Sequence, residues 1–156
     1  MKYSTYKFVL QLILLSVLVQ LFACSTGSCL EETEAKVKAT FYSMETNKAL
    51  APDSVSLYGI NMDTLKIYDK SLKLNSVEFP LYAAETDRKL VLRINGINDT
   101  IEFTYNSYTA LLSKECGYTY FYNLDTVFYS GNIIKSISIV KNSITTFNEE
   151  NMRIFY

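Results

Sequence analysis

From residue 36 onward, apolar and polar side chains alternate with a period of two, the repeat of a half-buried β-strand. Val37, Ala39 and Phe41 share one face, with Lys36, Lys38 and Thr40 opposite. Val55 and Leu57 repeat the pattern up to Gly59, which marks a bulge or strand end, and Leu65 and Ile67 alternate with Lys66 and Tyr68. Val77, Phe79 and Leu81 follow, and Pro80 assigns that segment to a sheet edge because it has no N–H to donate. Leu90, Leu92 and Ile94, then Ile101, Phe103 and Tyr105, then Tyr118, Tyr120 and Tyr122 continue the series. Ile133, Ile137 and Ile139 carry a later strand, and Met152, Ile154 and Tyr156 the last one.

Turn-forming residues separate these runs: Asn95-Gly96-Ile97-Asn98-Asp99, Ser130-Gly131-Asn132, Lys141-Asn142-Ser143 and Asn148-Glu149-Glu150-Asn151. Two stretches read as short helices, Ser107–Glu115 with two turns and Tyr82–Asp87 with one, and neither is long enough to form a layer. The expected fold is all-β: an antiparallel β-sandwich, or partly open barrel, of about eight to nine short strands. Residues 36–156 form one such domain, and the small, polar and acidic 24–35 precede it as a tether.

The first 23 residues break the pattern. Lys2 and Lys7 open a segment without acids, and from Phe8 to Ala23 only Gln11, Ser16 and Gln20 interrupt an apolar run. As a helix it would reach roughly 24 Å, short of the ~30 Å bilayer core, which fits a signal peptide better than a permanent span. Leu21-Phe22-Ala23-Cys24 resembles the lipobox of bacterial lipoproteins, although Phe22 is bulkier than is usual there. That resemblance implies cleavage after Ala23 and acylation of Cys24, giving a stable anchor. The competing reading is an uncleaved helix with a core cysteine.

With Cys24 carrying lipid, Cys29 and Cys116 remain, either as a disulfide in an oxidising compartment or as two separate buried thiols. A bridge would tie the tether to the domain and contribute at most about 4–5 kcal/mol on the chain-entropy account.

Charge and composition narrow the chemistry. Without 1–23 the chain has thirteen basic against sixteen acidic residues, a net charge of −3, which argues against a nucleic-acid partner. It has no His and no Trp, so His-based triads and His-ligated metals are excluded, and neither remaining cysteine has Cys-x-x-Cys spacing. No phosphate-loop or dinucleotide motif occurs. No catalytic residue, cofactor or metal is therefore expected. Glu31, Glu32 and Glu34 read as a soluble tether rather than a calcium site. A carboxylate-based hydrolase of envelope polymers would need two acids brought together by the fold.

Two patterns remain as candidate sites. Tyr118, Tyr120 and Tyr122 would form an aromatic face for a protein partner or a glycan, or would simply reflect the preference of strands for tyrosine. Asp53-Ser54-Val55, Asp63-Thr64-Leu65, Asp99-Thr100-Ile101 and Asp125-Thr126-Val127 resemble the three-residue O-glycosylation signal of exported proteins in Bacteroides-type bacteria. Turn aspartates before β-branched strand starts would give the same letters. Asn98-Asp99-Thr100 fits an N-linked sequon, which has no place in a bacterial lipoprotein.

Taken with the lipobox, Cys24 and Cys29, Thr40-Phe41-Tyr42, Ser56-Leu57-Tyr58-Gly59-Ile60, Phe79-Pro80-Leu81 and Ser113-Lys114-Glu115-Cys116-Gly117-Tyr118 carry a further resemblance. The chain resembles a family of small lipoproteins of Bacteroides-type bacteria, known as a domain of unknown function. The resemblance implies an exported β-rich module with a Cys29–Cys116 bridge, and brings no activity with it. The expected function is a non-enzymatic accessory lipoprotein of the outer membrane that binds an envelope protein through a strand edge or the tyrosine face. The alternative is a glycan-binding module using that face. Because Ser25-Thr26-Gly27-Ser28 precede the first acid, Glu31, the periplasmic face is favoured over the cell surface.

Overall fold

The computed structural model describes residues 27–61 and 64–156, together with Lys7 and Gln11. The expected cleavage site after Ala23, Cys24 and Asp63 of the second Asp-hydroxyl motif lie outside the described residues.

The described residues form ten strands: β1 (Lys36–Tyr42), β2 (Ser54–Gly59), β3 (Lys66–Leu72), β4 (Ser76–Pro80), β5 (Asp87–Ile94), β6 (Ile97–Ser113), β7 (Gly117–Tyr129), β8 (Ser136–Ile139), β9 (Ser143–Ile144) and β10 (Met152–Phe155). They form two sheets, ordered β4-β1-β10-β8 and β3-β2-β5-β6-β7-β9. All pairings are antiparallel except that of β1 with β10, in which Ala39 lies opposite Met152. The expected all-β sandwich is the fold, with one strand more than the eight or nine counted from the pattern.

The alternating residues fill the space between the sheets. Val37, Ala39, Phe41, Val77, Phe79, Met152 and Ile154 line one side, and Val55, Leu57, Leu90, Leu92, Ile94, Ile101 and Phe103 the other, all fully buried. Phe79 and Phe103 meet across the interface with ring centroids 5.1 Å apart. Pro80 does sit on an edge strand, at the end of β4.

The β5–β6 connection is tighter than the five-residue turn expected. Only Asn95 and Gly96 turn, with φ of 50° and 89°, the two positive values of a type I′ hairpin loop. Asn98 and Asp99 already belong to β6.

The helical reading of Ser107–Glu115 is overturned. Residues 107–113 continue β6, because a facing strand, β7, supplies partners as far as Ser113 opposite Gly117. Tyr82–Asp87 is likewise a bent connection that enters β5 at Asp87, not a helix. The later strand is also displaced: it begins at Ser136, and Ile134 rather than Ile133 is the buried residue before it.

Candidate functional site

The β6–β7 hairpin is longer than the sandwich that it helps to build. At its base, Tyr105 and Tyr122 are buried and cross edge to face at 5.4 Å. The Tyr105 hydroxyl donates to the Tyr82 carbonyl (3.0 Å) and accepts from the Tyr82 N–H (3.1 Å). Tyr122 donates to the Leu81 carbonyl (3.1 Å) and Ser107 to that of Ala83 (2.9 Å). Three side chains thus lace the β4–β5 connection onto the hairpin. Burial pushes both phenols above their ordinary pKa.

Beyond this point no second sheet faces the hairpin, and its inner face emerges into solvent. Tyr122 is 5% exposed, Tyr120 51% and Tyr118 75%. The three-ring face read from the alternation is therefore corrected to two exposed rings. The period of two correctly places all three on one side of β7, but Tyr122 lies where Leu81 and β9 still cover it. Across the hairpin Thr109 lies opposite Tyr120 and Leu111 opposite Tyr118.

The N-terminal segment is held against this protruding end. Cys29 and Cys116 form a disulfide, with Cα atoms 4.7 Å apart. Thr119 donates its hydroxyl to the Thr33 carbonyl (2.5 Å), and Ala35 is buried in the core. The tether is thus docked from Cys29 onward. Between it and the hairpin runs a groove of about 200 Å³ with Glu34, Lys36, Tyr82 and Tyr120 in its walls. A second groove, of about 190 Å³, places Glu32, Glu34 and Glu78 beside Lys36, Lys38 and Phe147. Its carboxylates are interleaved with lysines, and Glu34 pairs with Lys36 at 3.1 Å. Among the described residues no three His, Cys, Asp or Glu side chains are placed to hold a metal ion.

The four hydroxyl residues of the Asp-hydroxyl motifs fall in different surroundings. Thr64 is exposed in the turn before β3 and Thr126 is exposed on β7, whereas Ser54 and Thr100 are half-buried on β2 and β6. Asp99 is wholly buried and holds the β7–β8 loop. Its carboxylate accepts from the Ser130 hydroxyl (2.6 Å) and from the N–H groups of Asn132 (2.7 Å), Ile133 (2.8 Å) and Ile134 (2.9 Å). Burial alone would raise its pKa, but the bonds from Ile134, Ser130, Asn132 and Ile133 outweigh it and hold the carboxyl below its ordinary value. The sequence does not distinguish this aspartate from the other three, because loop 130–134 reaches it only through the β6–β7 pairing.

A third surface is the outer edge of the larger sheet. Among the described residues, strand β3 has no neighbour beyond it. Leu65, Ile67 and Leu72 stand in solvent there, with Leu65 75% and Leu72 71% exposed. The expectation that Leu65 and Ile67 face the core is corrected, since Tyr68 makes that contact instead.

The molecule is thus a β-sandwich with a disulfide-stapled, protruding hairpin and one open apolar edge. The chain belongs to a family of unknown function, DUF6452, whose model matches residues 54–156. The match leaves out β1, although β1 lies between β4 and β10 and completes the smaller sheet. No curated protein and no solved structure matches the chain.

Proposed function

We propose that this protein is an exported lipoprotein, acylated on Cys24, that serves as a non-enzymatic accessory module of the outer membrane, on its periplasmic face, in Bacteroides-type bacteria. The observation that carries the reading is the Cys29–Cys116 bridge, five residues beyond the lipobox cysteine. Disulfides persist in oxidising compartments, and this one ties the anchor segment to the body of the fold. The envelope partner is bound through the open edge of β3, where unpaired backbone and exposed Leu65, Ile67 and Leu72 offer a template for an added strand. Of the four Asp-hydroxyl motifs, Thr64 and Thr126 are the accessible acceptors for O-linked sugar.

Crosslinked affinity purification from membranes, followed by non-reducing mass spectrometry, tests each part. The expected result is an acylated Cys24, the intact Cys29–Cys116 peptide pair and a stoichiometric envelope protein. That partner should disappear from the Ile67→Lys, Leu72→Lys double variant. A protein recovered alone, with or without these substitutions, would dismiss the accessory-subunit reading.

A second reading has one observation in its favour. Tyr120 and Tyr82 stand with Lys36 and Glu34 around the groove beside the tether, which combines aromatic and polar groups as a sugar-binding site does. Glycan-array binding that is lost in Tyr120→Ala would move the assignment to a glycan-binding module.

A further inference from the structure

We infer that the tip of the β6–β7 hairpin docks on the lipid headgroup layer, making a second, non-covalent contact with the membrane that carries the anchor. The inference rests on the lipoprotein reading above and adds to it a surface and an orientation.

Chain length sets the geometry. Cys29 lies five residues on from Cys24, and a fully extended chain covers about 17 Å over those five steps. Cys29 is covalently joined to Cys116 in the hairpin turn, with 4.7 Å between their Cα atoms. Whatever path the intervening residues take, an acylated Cys24 holds the turn within about 22 Å of the headgroups. β6 is seventeen residues long, so its far end, at Ile97, is about 50 Å from the turn as measured along the strand.

The side chains presented at that end suit the position. Leu30 beside the bridge, Leu111 on β6 and Tyr118 on β7 are all more than half exposed, and Leu111 and Tyr118 are cross-strand neighbours on one face. Tyrosine is enriched where bilayer meets water, because its ring is apolar and its hydroxyl stays wet. Within the turn, Lys114 is balanced by Glu115, and Glu31 and Glu32 follow the other bridge cysteine, Cys29, in sequence. Docking is therefore driven by apolar contact rather than by anionic lipid. It adds a weak second contact to the acyl chains and fixes which way the sandwich points, with the β5–β6 turn directed away from the membrane.

The absence of tryptophan from the chain makes the test clean. Mature protein purified from membranes with the substitution Tyr118→Trp, or Ile97→Trp as the distal control, is placed in phosphatidylcholine vesicles containing spin-labelled lipid. Both positions are exposed enough to accept an indole without disturbing the core. Emission at position 118 should be quenched several-fold more than at position 97, with no change on adding salt. Equal, weak quenching at both positions in vesicle-bound protein would overturn the docking and leave the anchor in place. Protein with an unmodified Cys24 that stays in solution would overturn both. An indole at 118 that escapes lipid quenching but is shielded by a crosslinked envelope protein would give the tip to that partner, and the proposal would fail.

Discussion

Asp99 shows how much one side chain does in this fold. Its carboxylate takes three consecutive backbone N–H groups and one hydroxyl. Hydrogen bonds to a buried charge are each worth about 1.5–3 kcal/mol, and an orphaned donor is expensive. Asp99→Asn turns an amide N–H₂ toward groups that are already donors and should lower stability by about 2–3 kcal/mol in urea unfolding. The pH dependence has a definite sign. The folded carboxyl is held below its unfolded value of about 3.9, so its stabilisation is full above that value and lost as pH falls through the folded one. Acid unfolding of the parent should therefore include a component near and below about pH 4 that Asp99→Asn lacks.

At the scale of the element, the hairpin decides what could be read in advance. The strands bearing Val37, Val55 and Leu90, and the first half of the one bearing Ile101, are legible because each faces an opposing sheet there, so alternation maps directly onto burial. Alternation also places Tyr118, Tyr120 and Tyr122 on one face, but it carries no sign of where the facing sheet ends. Ser107–Glu115 invites two helical turns because Ala110, Leu111, Leu112, Lys114 and Glu115 are good helix formers, but their local preference yields to pairing with β7. Gly117, by contrast, has a precise reason for its place, since it opens β7 with φ of 72° and no atom within 4 Å of where a Cβ would be. The cost of Gly117→Ala should then be backbone strain alone, about 1–2 kcal/mol in thermal unfolding, with the disulfide still forming.

At the scale of the molecule, the bridge joins positions 87 residues apart. Replacing both cysteines by serine should lower stability by up to about 4–5 kcal/mol in denaturant titration. It should also release residues 27–33 to faster amide exchange, while Ala35 onward stays protected by the core. The tether was recognisable from composition; its docking against Thr119 was not, because a single hydroxyl-to-carbonyl bond leaves no pattern in the sequence.

One pairing bears on the order in which the chain folds. β1 lies beside β10, and Lys38 and Asn151, 113 residues apart, exchange backbone and side-chain hydrogen bonds across that junction. The smaller sheet therefore cannot close until the final strand is available, and contacts so distant in sequence form slowly. On the lipoprotein reading proposed above, a chain exported N-terminus first would carry an open smaller sheet until β10 had emerged. The N- and C-terminal strands thus act as a clasp, and the sandwich is shut by the part of the chain made last.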